Sequence, residues 1–346
     1  MNFAIVGCGH IAKKHAEAIE HIEGANLVAV CDKVPQAMDY YVKNYGSKPY
    51  QDLKEMLSDR NIDVVNICTP SGFHAAIAVE AAKAKKHVIV EKPIALKLED
   101  ADLIISVCKK NNVKLAVVHP NRFRPVVQEL KKLMDKGVFG KLSHANATVR
   151  WNRNQAYYDQ ATWRGTKAFD GGVLMNQAIH NLDLLIWLMG DVEEVYSMSA
   201  TRLRNIEAED VSTGIVRFKS GALGVVEAAT TIYPKNLEES LSIFGETGTA
   251  IIGGTTATQF NHLAIESLKE EETNEIIEKV KANPLGKPGH QCIIEDMIQA
   301  IQEDREPIVN GEEGKRALQL VLAFYESAEK KQRVIIDEDK LISIGG

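Results

Sequence analysis

The sequence predicts an α/β fold in two parts. A doubly wound parallel sheet is expected over residues 1–120, followed over 121–346 by an α+β domain on an open-faced, mostly antiparallel sheet. Three observations predict this division. Short β-branched runs alternate with helical patterns through the first 120 residues, and a glycine-rich turn joins the first run to the first helix. Past "HPNRFRP" (119–125) the apolar runs begin to alternate with polar residues.

The runs "NFAIV" (2–6), "NLVAVC" (26–31), "DVVNICT" (63–69), "HVIVE" (87–91) and "KLAVV" (114–118) suit strands buried on both faces. Helical patterns lie between them at 10–22, 74–85 and 98–111. Strand, helix, strand in that rhythm gives parallel neighbours through right-handed crossovers. In the second part, a helix at 125–136 leads to an alternating strand, "KLSHANATVRW" (141–151), and then to a polar aromatic loop. The stretch 171–190, "GGVLMNQAIHNLDLLIWLMG", reads as one apolar helix. Antiparallel strands are expected through 192–260, then two more helices and a closing strand, "RVIID". One face of such a sheet needs covering, which a partner subunit would do, and a homo-oligomer, a dimer or tetramer, is expected.

Composition narrows the function. At 346 residues the chain is long for one core. A net charge of −6 gives no global field for nucleic acid. No apolar run reaches the roughly 18 residues of a membrane span. The five cysteines are scattered with no CxxC, and the chain opens without a leader pattern, so a reducing cytoplasm is expected. The ten histidines show no metal-ligand spacing, and no metal is expected.

Gly7, Gly9 and Ala12 in "AIVGCGHIAKKHAEAI" form G-x-G-x-x-A directly after a strand and at the start of a helix. The first glycine permits the tight turn, the second admits a pyrophosphate, and the alanine lets helix and strand pack closely. Asp32 ends the second strand, where a carboxylate accepts from ribose hydroxyls and repels a 2′-phosphate. That argues for NAD, although Lys33 beside it would tolerate NADP. "CTPSGFH" (68–74) and "EKP" (91–93) follow the third and fourth runs, so both point at the crevice beyond the strands' carboxyl ends.

In the apolar helix, Asn176, His180 and Asp183 are spaced i, i+4, i+7 and share one face. A self-satisfied core network and a catalytic stripe both fit that spacing. The Gly motif, Thr69-Pro70 with His74, "EKP", and Gly-Gly followed by His-x-x-Asp occur here in order. Together they resemble the glucose–fructose oxidoreductase/inositol dehydrogenase/MocA family over nearly the whole chain. The resemblance implies a Rossmann domain binding NAD through Gly7, Gly9, His10, Ile11, Ala12, Asp32, Thr69, Pro70, His74, Glu91 and Lys92, with Trp163 and Arg164 from the second domain. It implies Lys92 and His180 as the catalytic pair flanking the oxidised carbinol. Many members carry Asp where this chain has Asn176; an amide orients the imidazole without stabilising its charge, which shifts weight to Lys92 as base.

Residues 149–190 are similar to the UDP-N-acetylglucosaminuronate 3-dehydrogenases of bacterial surface-polysaccharide pathways. That likeness implies a nucleotide-sugar substrate oxidised at C3, met by Lys92, Arg153, Tyr158, Arg164, Asn176, Gln177 and His180. Arg153 and Arg164 suit a carboxylate or diphosphate. Each has a structural alternative: the aromatics as loop packing, the arginines as surface ion pairs, Asp183 as a structural residue bonding backbone or the His180 ring. His290, before a helix in "GKPGHQ", either meets an anion or packs a loop. Two other functions stay open, an inositol or free-sugar dehydrogenase and an NAD-binding regulator without turnover.

Overall fold

The computed structural model describes residues 1–337 and 340–344, which form two compact units. The first comprises Met1–Pro120 and Lys287–Lys315, the second Asn121–Gly286 and Arg316–Gly346. The leading segment of the first unit ends at Pro120. The segment 287–315, expected in the second domain, packs instead in the first.

The first unit runs β1 (Asn2–Val6), α1 (His10–Glu20), β2 (Asn26–Cys31), α2 (Pro35–Tyr45), β3 (Lys48–Tyr50), α3 (Leu53–Ser58), β4 (Val64–Ile67), α4 (His74–Lys83), β5 (His87–Glu91), α5 (Leu98–Lys110) and β6 (Leu115–Val118). The strands form one sheet in the order β3-β2-β1-β4-β5-β6, every pair parallel. The order reverses between β1 and β4, which opens a crevice at their carboxyl ends. β4 and β6 are buried at every position, as their unbroken apolar runs require. α1 turns Ala12, His15, Ala16 and Ile19 inward at helical spacing. α2, α3 and β3 were absent from the sequence reading. α2 does carry terminal signals, Pro35 at its start and Gly46 in the left-handed region just past its end.

The second unit opens with α6 (Pro125–Asp135), β7 (Leu142–Arg150) and α7 (Gln155–Tyr158). A π-helical segment, Leu174–Ala178, precedes α8 (Ile179–Met189). Then follow β8 (Val192–Ala200), β9 (Val211–Phe218), β10 (Leu223–Ala229), β11 (Glu238–Gly245), β12 (Gly248–Gly253), β13 (Gln259–Ile265) and α9 (Glu270–Ala282). α10 (Gly289–Gln302) belongs to the first unit, and α11 (Gly311–Lys330) is divided between the two. β14 (Arg333–Asp337) and β15 (Lys340–Ile344) complete the chain's described elements. Among the described residues the sheet has nine strands, ordered β13-β12-β11-β7-β10-β9-β8-β14-β15, antiparallel throughout except for β10 beside β7. "ESLSIFGETGTAIIGG" is two paired strands, β11 and β12.

α8 lies against β7 and β11 and buries Leu182, Leu184, Leu185 and Ile186, each worth about 1.5–3 kcal/mol. Asn181 ties it to the sheet by donating to the carbonyls of Thr148 and Ser240, both at 3.3 Å. Asp183 meets Arg122 in a bidentate pair, Nε to Oδ2 at 2.8 Å and Nη2 to Oδ1 at 2.6 Å, with both side chains buried. The Arg122 guanidinium also lies 5.0 Å from the centre of the Trp187 ring. Asp183 thus takes a structural role, through Arg122, a partner its sequence position did not indicate. No helix among the described residues is long and apolar enough to cross a membrane.

Removing one partner from a buried ion pair costs far more than removing both, because the survivor is left as an uncompensated charge. Asp183→Asn is expected to lose about 3–5 kcal/mol in urea unfolding, and Arg122→Met with Asp183→Leu much less. A loss below about 1 kcal/mol for the single variant would show that the pair contributes little.

Candidate active site

The first unit assembles its site along the crevice edge of the parallel sheet. Gly7 has φ +89° and its backbone runs so close to β4's exit that a Cβ would sit 2.8 Å from the Thr69 amide nitrogen. Only glycine fits on both counts. Gly9 is the opposite case: a Cβ there would meet nothing within 4 Å, and no side chain caps the helix it starts. No side chain therefore satisfies the first-turn N–H groups of α1, which leaves them for an anion. His10 is exposed at that helix start, Ile11 is half-buried, and Ala12 is fully buried where helix meets strand.

Asp32 is fixed by two backbone donors, Cys8 N–H to Oδ2 at 2.8 Å and Val34 N–H to Oδ1 at 2.9 Å. Each oxygen keeps a lone pair for a ribose hydroxyl. Thr69 Oγ1 is buried without a hydrogen-bond partner among the described residues, a sign of a site shaped for a ligand. Pro70 beside it is half-buried. The open glycine turn, the placed carboxylate and this orphaned hydroxyl together fit a dinucleotide.

Lys92 is half-buried just beyond β5, and the Lys92–Pro93 peptide bond is cis. His74 is buried with Nδ1 2.8 Å from the Pro93 carbonyl and Nε2 3.0 Å from the Thr69 carbonyl. Burial lowers its pKa, while the two carbonyl contacts oppose that shift. Glu91 is buried too, its Oε1 accepting from His15 Nε2 at 2.9 Å and from His290 Nε2 at 3.3 Å. Burial alone would raise its pKa, but these bonds hold it well below the usual carboxylate range. His15, Glu91 and His290 are the one group among the described residues whose ligand atoms cluster as a metal site would. In the structure the three are joined directly by hydrogen bonds. All five cysteines are free; burial pushes the Cys8 thiol up to about 12 and Cys31 to about 11, so neither is a nucleophile at neutral pH.

In the second unit, Arg153 and Arg164 lie over Tyr157, at 5.3 and 4.4 Å from its centroid, and Arg164 Nη1 donates to the Tyr157 hydroxyl at 2.7 Å. Arg164 also lies 4.7 Å from the Trp163 ring centre. These four side chains are half-buried. Tyr158 by contrast is buried, its hydroxyl 3.2 Å from Thr230 Oγ1, a packing position. Asn176 and Gln177 occupy the π-helical turn and His180 the first turn of α8. π-turns inside helices recur at functional sites. Gln177 Oε1 is buried without a partner among the described residues, and His180 and Asn176 are half-buried. The Asn176 amide donates to Asp170, whose second oxygen accepts from Gly165 N–H at 2.8 Å. Asp170 thus places a carboxylate against the Asn176 amide. Sequence reasoning missed it because it lies six residues upstream, in a loop.

Glu209, also missed, holds the start of this helix. Leu174 N–H and the Tyr325 hydroxyl both donate to Oε1, at 2.8 and 3.0 Å.

Both halves of the chain match known families. Residues 1–119 match the oxidoreductase family with an NAD-binding Rossmann fold, and residues 127–251 match the GFO/IDH/MocA C-terminal domain. The chain belongs to the GFO/IDH/MocA family. Its solved relatives include the WlbA dehydrogenase of Bordetella pertussis in complex with NADH and UDP-GlcNAcA, 37% identical, covering 97% of this chain and 98% of that one, TM-score 0.93. The WlbA dehydrogenase of Chromobacterium violaceum, in complex with the same two ligands, is 38% identical over 98% of this chain and 97% of that one, TM-score 0.92. Myo-inositol 2-dehydrogenase of Thermotoga maritima is 29% identical, covering 98% of this chain and 99% of its own. The GFO/IDH/MocA motifs read in the sequence are those that frame the crevice and the π-turn here.

Burial, then the neighbouring Asp210 charge, raises the Glu209 carboxyl from 4.5 to about 7. The folded chain therefore holds a proton that the unfolded chain releases earlier, and stability from this group falls as pH rises through that window. Between about pH 5 and pH 8 the wild type is expected to lose on the order of 2 kcal/mol relative to Glu209→Gln, which keeps the acceptor without the charge. Parallel pH profiles of unfolding for the two proteins would refute the assignment.

Proposed function

We propose that this protein is an NAD-dependent dehydrogenase that oxidises the C3 hydroxyl of UDP-N-acetylglucosaminuronate to the 3-keto sugar, a step toward diamino-uronic acids of bacterial surface polysaccharide. The observation that carries the reading is whole-length likeness to two dehydrogenases solved with NADH and UDP-GlcNAcA. The chain's own residues support it. The uncapped helix start, Asp32 and Thr69 suit the dinucleotide, and Gly7, Gly9, His10, Ile11, Ala12, Pro70 and His74 shape its bed.

Bound NAD supplies the acceptor for the carbinol hydride. The chain's task is the hydroxyl proton, which we assign to Lys92 as base with His180 assisting. Asn176, turned by Asp170, and Gln177, with its unpartnered oxygen, offer an amide pair to hydroxyl or acetamido groups. Arg153 and Arg164 give planar donors for carboxylate or diphosphate, and Trp163 an apolar face; Tyr158 supports their loop from within. The free thiols accord with a reducing cytoplasm.

We also propose that the open sheet face is covered by a second copy of the chain. Tyr196, Ile215 and Val225 stand opposite one another across β8, β9 and β10, and all three are exposed. Such an apolar row marks an interface. Ile215→Glu with Val225→Glu is expected to lower the molecular mass by light scattering without loss of fold; an unchanged mass would place the interface elsewhere.

The function is tested by NADH formation from NAD with UDP-N-acetylglucosaminuronate, UDP-N-acetylglucosamine and myo-inositol in parallel, assayed in solution and in a denatured extract. Reduction with the uronate alone is expected, lost on the order of a hundredfold in Lys92→Ala with NAD still bound. Reduction with inositol alone would transfer the reading to the activity of the Thermotoga relative. NAD binding without turnover on any of them would favour a regulator.

A further inference from the structure

Lys92 has no regular secondary structure of its own, yet a base must be held within a few tenths of an ångström of its task. The residues on either side of it are each secured by histidine. Upstream, Glu91 Oε2 accepts the Lys92 N–H at 3.2 Å while Oε1 collects His15 and His290. Downstream, His74 binds the Pro93 carbonyl. Asn66 of β4 donates to His15 Nδ1 at 3.0 Å, which leaves the His15 proton on Nε2, facing Glu91. The network therefore has a fixed direction, from Asn66 through His15 to the carboxylate. Its members come from α1, β4, β5 and α10, with His290 199 residues from Glu91 in sequence.

Without these donors, a carboxylate this deeply buried would turn toward solvent or take up a proton. In either case the bond to Lys92 N–H would weaken. His290 is the member nearest solvent and the one brought by the returning segment 287–315, so it is the replaceable support.

We propose that Glu91, clamped by His15 and His290, and His74 are positioning residues that set Lys92 for proton transfer, with His290 making that placement depend on the returning segment. This rests on the assignment of Lys92 as base. The test compares His290→Leu, which removes the donor, with His290→Gln, which restores one, in the full-length protein loaded with NAD. Four quantities are read: kcat, KM for UDP-N-acetylglucosaminuronate, the Kd of NAD, and the rate at which acetic anhydride labels Lys92, measured by mass spectrometry. His290→Leu is expected to lower kcat ten- to a hundredfold, with KM and Kd within about twofold, and to raise Lys92 labelling about threefold or more. His290→Gln is expected to recover most of both effects.

An unchanged kcat in His290→Leu, or a loss of kcat matched by a loss of NAD affinity, would overturn the proposal. Failure of His290→Gln to recover either quantity would do the same. Should the wild type not oxidise the nucleotide sugar, the proposed function falls and labelling alone decides. Equal Lys92 rates in wild type and His290→Leu would then sink the positioning role, and a raised rate would sustain it.

Discussion

A carboxylate taken out of water must be given donors, and in this chain that requirement decides where the functional segments lie. Glu91, Asp183 and Glu209 are all buried. Their donors come from elements far away in sequence: His15 and His290 for Glu91, Arg122 for Asp183, Tyr325 and the Leu174 amide for Glu209. Each carboxylate therefore cross-links the fold at a point next to a residue with a proposed role. Glu91 precedes Lys92, Asp183 follows His180 by one helical turn, and Glu209 grips the entry to the turn bearing Asn176 and Gln177. The three are satisfied differently. Glu91 is held ionised by two imidazoles and Asp183 is paired with a guanidinium, whereas Glu209 has only neutral donors and holds its proton to higher pH.

The parallel sheet imposes the second constraint. Because β1 and β4 are neighbours, the turn after β1 and the loop after β4 are forced together, and at Gly7 the two backbones leave no room for a side chain. The crevice then takes its chemistry from whatever the strand exits carry, here Asp32, Thr69 and Lys92.

What the sequence made legible was local. Gly7, Gly9, Ala12 and Asp32 can be read because their spacing is set by one turn and one strand, and β1, β2, β4, β5 and β6 because both faces of a parallel strand are apolar. α9 was missed for the opposite reason: Val280 is the one residue it buries, so no apolar stripe marks it. β3 is three residues long and contains a proline. The π-turn was read as ordinary helix because five residues are too few to separate its period from 3.6. The stripe of Asn176, His180 and Asp183 was visible, but its division was not, since Arg122, which claims Asp183, lies 61 residues away. Partners such as His290 for Glu91 leave no periodic trace at all; the nearest signal was a histidine beside a helix start.

The first unit is interrupted in sequence by most of the second, and the returning segment does more than decorate it. Val117 N–H pairs with the Val309 carbonyl and Ala116 bridges Asn310, so this segment covers the outer edge of β6, while α10 packs on α1. During synthesis, then, residues 1–120 leave the ribosome with one sheet edge bare and with Glu91 lacking His290. The segment that supplies both begins only at Lys287. The second unit waits as well, for Arg316 onward. Neither half can be finished as an independent module. A product truncated before residue 287 would therefore offer a nucleotide-binding half with the edge of β6 open and Glu91 lacking one of its two imidazole partners.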